Sequence, residues 1–283
     1  MNMVISSKLL QATQATIAGA CLSTLLCGGN VKAQMSVSPL VIEAKTERSE
    51  AKGIVTITNT SNAPSRVRIY AEPFTYHRDI GFQTLPSSPT DLTPYLQFSP
   101  RELTIQPGES RRVRLIGNLA PNLPEGEYRA VVFNETLRDT QDAAGNNVSL
   151  VARIGVTFYV RKGNITPKLA VDSASFNTEQ KKIQLLVRNS GKATARPNLN
   201  WTLRRGATVV KTGVVEANGV AAESERNFIL NYADNESTVT PGTYEVSGEL
   251  VWGDDKSKTK LPFTVNVTIP SQTTASREAN TKK

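Results

Sequence analysis

Apolar and polar residues alternate along this chain with a period of two, the spacing that puts side chains on one face of a β-strand, and no segment shows a persuasive helical period. The longest alternation is Val148–Val160. Every even position from Val148 to Phe158 is apolar, while Ser149, Arg153, Gly155 and Thr157 hold odd positions. One face of such a strand is built for burial. At ~3.3 Å per residue it runs the full height of a small β-domain and offers a backbone edge to whatever lies beside it. Two readings follow: a central sandwich strand, or a strand that serves another protein.

The remaining pattern surrounds that strand with shorter ones. Val37, Leu40, Val41 and Ile42 flank Pro39, which marks an irregular edge strand because proline cannot donate to a ladder. Ile54–Thr58 and Val67–Ala71 are joined by the turn-rich Asn59–Pro64. Pro73–Pro100 is rich in proline, serine and threonine and predicts a loop, with a short strand at Tyr95–Phe98. Gln106–Ser110 predicts a turn ahead of Arg112–Ile116; Tyr128–Phe133 is a strand, and the polar Thr136–Asn147 is a loop feeding Val148. After Arg161-Lys162-Gly163-Asn164 the same grammar repeats through Leu169–Phe176, Ile183–Asn189, Asn198–Leu203, Val209–Val215, Phe228–Tyr232, Thr243–Trp252 and Leu261–Ile269. The expected fold is all-β, with two immunoglobulin-like β-sandwich domains in tandem, residues 34–162 and 163–270.

Residues 1–33 carry Lys8, a weakly apolar run and Val31-Lys32-Ala33, which predicts a signal peptide cleaved before Gln34 and hence export. Cys21 and Cys27 both fall in that leader, so the mature chain is expected to hold no disulfide, and about 250 residues suffice for two domains with their own cores. Residues 271–283 are polar and basic and predict a disordered tail. The net charge of +8 becomes +6 once Lys8 and Lys32 leave with the leader. The positive charges are scattered, which fits an acidic partner protein better than nucleic acid. His77 stands alone in a Tyr76-His77-Arg78 loop, no phosphate-binding glycine loop is present, and no His/Cys set offers a metal site, so an enzyme is not expected and neither is a cofactor.

A leader, Val41-Ile42 in a first strand, Ile54–Asn59, Pro107-Gly108-Glu109 before Arg112–Leu115, Leu123–Tyr128, and Ile154–Tyr159 ahead of a second β-domain follow one another in a telling order. That order resembles the periplasmic pilus and fimbrial assembly chaperones of the PapD type, from Met35 to about Ile269 and most closely in the first domain. The resemblance implies a periplasmic protein that binds secreted pilin-like β-subunits, with an outer-membrane usher as a further partner. The subunit would receive the even face Val148, Leu150, Ala152, Ile154 and Val156 as a donated strand, and the free chaperone would self-associate through the same strand. That family also holds the subunit's C-terminal carboxylate with two basic residues, one on the first strand and one on the long strand. Here those positions fall near Leu40 and near Gly155 or Val156, and neither is basic. Arg153 and Arg161 are the candidates to replace them, solvated arginines on a strand face being the other reading. The competing function is a secreted immunoglobulin-like structural or adhesion protein of the cell surface, in which Val148–Val160 would be buried in its own core.

Overall fold

The computed structural model describes residues 35–141, 147–216, 218–232, 239–254 and 257–271, with side chains left out for 137–150. The predicted leader and most of the predicted tail lie outside these residues. The N-terminal sandwich contains β1 (Met35–Ser38), β2 (Val41–Lys45), β3 (Glu50–Asn59), β4 (Ser65–Glu72), β5 (Phe74–His77), β6 (Gly81–Thr84), β7 (Leu96–Ser99), β8 (Glu102–Ile105), β9 (Ser110–Asn118), β10 (Gly126–Gln141) and β11 (Asn147–Lys162). One sheet is ordered β1-β3-β9-β7, the other β2-β11-β10-β4-β8, and β5-β6 is a separate hairpin. The C-terminal sandwich contains β12 (Leu169–Asn177), β13 (Lys182–Asn189), β14 (Asn198–Arg205), β15 (Thr208–Val215), β16 (Ser224–Leu230), β17 (Gly242–Trp252) and β18 (Thr259–Ile269). Its sheets are β12-β13-β16 and β15-β14-β17-β18, the immunoglobulin-like arrangement, with Trp201 buried on β14.

Alternation explains which residues make each core. In the first, Val55 and Ile57 from β3, Val113 and Leu115 from β9, Ala130 and Val132 from β10, and Val156, Phe158 and Val160 from β11 are fully buried. The second core gathers Leu185, Val187, Leu199, Leu203, Phe228, Val246 and Leu250 around Trp201. Pro39 ends β1, which pairs antiparallel with β3, and the chain re-enters the opposite sheet as β2, parallel to β11.

Both sandwiches fasten corresponding corners alike. Asn59, the last residue of β3, donates Nδ2–H to the carbonyls of Ala63 (2.8 Å) and Ile105 (2.9 Å), while its Oδ1 accepts from Ser61 N–H (3.0 Å). Asn189, the last residue of β13, reaches the carbonyls of Ala193 (2.8 Å), Val220 (3.1 Å) and Ala221 (3.2 Å), and accepts from Lys168 N–H and Gly191 N–H (both 3.0 Å). Tyr128 and Tyr244, each third in its strand, donate a hydroxyl to the carbonyl four residues earlier, Pro124 (3.0 Å) and Thr240 (2.7 Å), as in a tyrosine corner.

Two predicted loops contain strands. Thr136–Gln141 continues β10, which pairs with β11 without interruption out to Gln141↔Asn147. Its polar composition reflects a ribbon extending past the core, where neither face needs to be apolar. Within Pro73–Pro100, β5 and β6 form a hairpin whose Phe74 is buried against Val131, Phe133 and Tyr159. A proline-rich composition hid it because only its first strand carries a buried anchor.

Candidate partner-binding edge

β11 has two sides. Along one it pairs with β10 over its whole length; along the other it pairs with β2 only from Thr157 to Arg161. The Thr157 N–H donates to the Leu40 carbonyl (3.0 Å), away from β10. Strand alternation then points the N–H and C=O of Gly155, Arg153, Val151, Ser149 and Asn147 outward, and no described strand pairs with them. β10 meets β4 no further than Thr136↔Val67, and no other described strand flanks the ribbon beyond that point. An open strand edge of this length is a template for another chain.

The residues of the predicted donor face are placed unequally. Val156 is buried and belongs to the N-terminal core. Ile154 is half-buried and packs on the rim of that core, and Ala152 is exposed. The side chains of Val148 and Leu150 lie outside the described set. On the odd face Val151 is 58 % exposed. Arg153 is exposed too, its guanidinium 4.6 Å above the Phe133 ring and its Nη1 donating to the Tyr70 hydroxyl (3.0 Å), which in turn donates to Glu135 (2.9 Å). Burial pushes the Tyr70 phenol up, with Arg153 pulling the other way. Gly155 is required here: a Cβ would come within 2.8 Å of Val131 and 3.1 Å of Phe133, because the ring opposite it on β10 crosses the strand.

Arg161 is not free to receive a carboxylate. Its Nε donates to Glu127 (3.2 Å), and its Nη2 donates to Glu43 (2.8 Å) and to the Thr194 carbonyl (2.8 Å). Glu127, wholly buried, also accepts from Thr194 N–H (2.8 Å) and the Thr194 hydroxyl, and Glu43 accepts from Arg196 Nε (2.8 Å). These bonds run from β2, β10 and β11 to the segment after β13, so they clamp one sandwich to the other. Arg196 lies 5.1 Å over Tyr159, whose phenol burial pushes up to about 12, with Arg196 the main opposing influence.

A second clamp comes from the β5-β6 hairpin. Arg78 pairs with Glu225 (2.7 Å), Asp79 accepts from Asn227 (3.0 Å), and Arg226 sits 5.1 Å over Tyr76. Burial draws the Arg226 guanidinium below its ordinary value. At Gly163 the chain leaves β11 with φ +83°, and a Cβ there would strike Glu125. His77 is exposed in this hairpin, its Nδ1 accepting Asp79 N–H (3.3 Å).

Sequence reasoning missed Glu127, Thr194, Arg196 and the ring cluster of Phe74, Phe133 and Tyr159. Gly155 inside an otherwise bulky strand was the one legible sign of a close approach. Among the described residues no helix is long and apolar enough to cross a membrane, and no three His, Cys, Asp or Glu side chains gather as a metal site.

No family model and no curated protein matches the sequence. Solved structures match it at low identity and with TM-scores below 0.5. The class 5 fimbriae chaperone CfaA is 12 % identical with a TM-score of 0.49, the match covering 84 % of this chain and 100 % of that one. A chain of the CsuC–CsuE chaperone–tip adhesion subunit pre-assembly complex from the archaic chaperone–usher Csu pili of Acinetobacter baumannii matches at 16 % identity, TM-score 0.46, covering 82 % of this chain and 98 % of that one. The Salmonella enterica SafA pilin–SafB chaperone complex matches at 10 % identity, TM-score 0.46, covering 81 % and 96 %. The YadV chaperone and the periplasmic chaperone SfaE match at 12 % identity as well.

Proposed function

We propose that this protein is a periplasmic chaperone that binds exported pilus or fimbrial subunits and stabilises them by donating β11 as a strand. The observation that carries this reading is the outward edge of β11 from Asn147 to Val156, which no described strand covers. A subunit lacking one strand would take the outward N–H and C=O groups of residues 147–155 into its ladder. Val148, Leu150, Ala152 and Ile154 would fill its groove, with Val156 rooting the strand in the chaperone. Each well-buried aliphatic contributes ~1.5–3 kcal/mol before the costs of association. Of the two basic candidates, Arg153 is the one we assign to the subunit's terminal carboxylate, because it is exposed beside the edge while Arg161 holds the domains together. An outer-membrane usher is the expected recipient of the complex.

Native mass spectrometry of the tagged protein purified from its own periplasm tests this. The wild type should carry one small secreted β-protein. Val151→Pro should lose it while keeping its circular dichroism spectrum, since proline removes an outward N–H and leaves the ladder to β10 intact. A wild type that stays folded and carries no subunit would make the adhesion or structural reading the better one.

A further inference from the structure

The sheet β1-β3-β9-β7 turns its outer face away from the C-terminal sandwich, which docks on the opposite sheet through Glu43, Glu127 and Arg161. Two arginines stand on this outer face at alternate positions of β9, Arg112 opposite Thr56 and Arg114 opposite Ile54 on β3. On its other side Arg114 faces Ser99 of β7. Both guanidinium groups are exposed, and neither has an acidic, ring or carbonyl partner among the described residues. Neighbouring cations behave differently: Arg111, next along β9, pairs with Glu109 (3.3 Å), and Lys52 of β3 pairs with Glu50 (3.4 Å). Ile54, 53 % exposed, lies beside the two unbalanced charges.

We infer that this face docks an acidic extended segment of a second protein, distinct from whatever β11 binds. Side chains two apart on a strand are ~6.6 Å apart, so the complement is a pair of carboxylates at alternate positions of an extended chain, each able to take an arginine in two hydrogen bonds. The methylene stems of those carboxylate side chains would lie over Ile54. Two unbalanced cations fall short of the roughly four to eight that draw a protein to an anionic bilayer, which favours a protein partner. The face lies on the other sheet from β11, so both partners can be held at once.

The test is an amide-shift titration of isotope-labelled protein with a capped peptide of alternating Glu and Val, set beside a peptide of the same composition with its glutamates contiguous. Shifts should concentrate on Lys52–Thr56 and Ser110–Ile116, favour the alternating peptide, and weaken about tenfold or more in roughly half-molar salt. Arg112→Glu with Arg114→Glu should abolish them without altering the fold and should accept a Lys/Val peptide instead. Shifts spread equally over Arg204 and Lys260, or a double variant that still binds the glutamate peptide, would overturn the inference. So would vesicles of phosphatidylglycerol binding the wild type, and not the double variant, while the peptide is ignored.

Discussion

Asn59 closes β3 and Asn189 closes β13 with the same reach to a carbonyl four residues on, and Tyr128 and Tyr244 pin the starts of β10 and β17 alike. The hairpins that follow part company. In the C-terminal sandwich β17 is flanked by β14 as far as Val251, one residue from its end. In the N-terminal sandwich β10 loses β4 at Thr136 and runs on to Gln141 with β11 alone beside it. The residue before the corner tyrosine differs as well: Thr243 faces solvent, whereas Glu127 is buried against Thr194 and Arg161. One frame therefore yields a closed domain and a domain with a projecting ribbon and a docking face. The difference comes from residues outside the shared corners.

The largest expected effect separates the rooted half of β11 from its projecting half. Val156→Asp places a carboxylate in a closed core and should cost more than ~3 kcal/mol, unfolding the N-terminal sandwich. Ala152→Asp, on the exposed stretch, should change stability by less than about 0.5 kcal/mol. Both tryptophans, Trp201 and Trp252, belong to the C-terminal sandwich. Their fluorescence should stay native-like in Val156→Asp while amide signals from β3, β9 and β10 collapse. Loss of both together would mean that the C-terminal sandwich cannot stand without its neighbour.

A smaller effect tests the shared corner. Asn189→Leu strands the Ala193, Val220 and Ala221 carbonyls and the Lys168 and Gly191 N–H groups, and should cost roughly 3 kcal/mol. Asn59→Leu should cost about as much in its own domain. In denaturant titrations the first should move the tryptophan transition and the second the far-ultraviolet signal. Equal movement of both signals by either variant would show that the clamps at Glu127 and Arg78 merge the domains into one cooperative unit.

What could be read from the sequence follows what burial imposes on it. The alternation at Ile54–Ile57, Val113–Leu115 and Val156–Val160 announced strands because each must feed a core. The polar end of the β10-β11 ribbon announced nothing, since a two-stranded ladder in solvent places no demand on side-chain type. Arg153 and Arg161 looked alike in the chain. Only the fold brings Glu43, Glu127 and Thr194 to Arg161 and leaves Arg153 outside, from positions as far apart as Glu43 and Thr194.

The docking face of the N-terminal sandwich also carries a titratable group whose response to pH has a definite sign. Tyr159 is buried under Arg196, and burial raises its phenol from near 10 to about 12. Below pH 10 both folded and unfolded chains keep the proton, and the contribution to stability is complete. Between pH 10 and 12 the unfolded chain ionises and the folded chain does not, so stability falls as pH rises through that window, by about 2 kcal/mol. Lysines elsewhere add their own alkaline losses, so the wild type is compared with Tyr159→Phe, which keeps the ring packed on Phe74 and removes the ionisable hydroxyl. Denaturation midpoints at about pH 9 and about pH 11.5 should fall further apart in the wild type than in the variant. Equal differences would place the phenol in contact with solvent and make the clamp at Arg196 looser than its geometry implies.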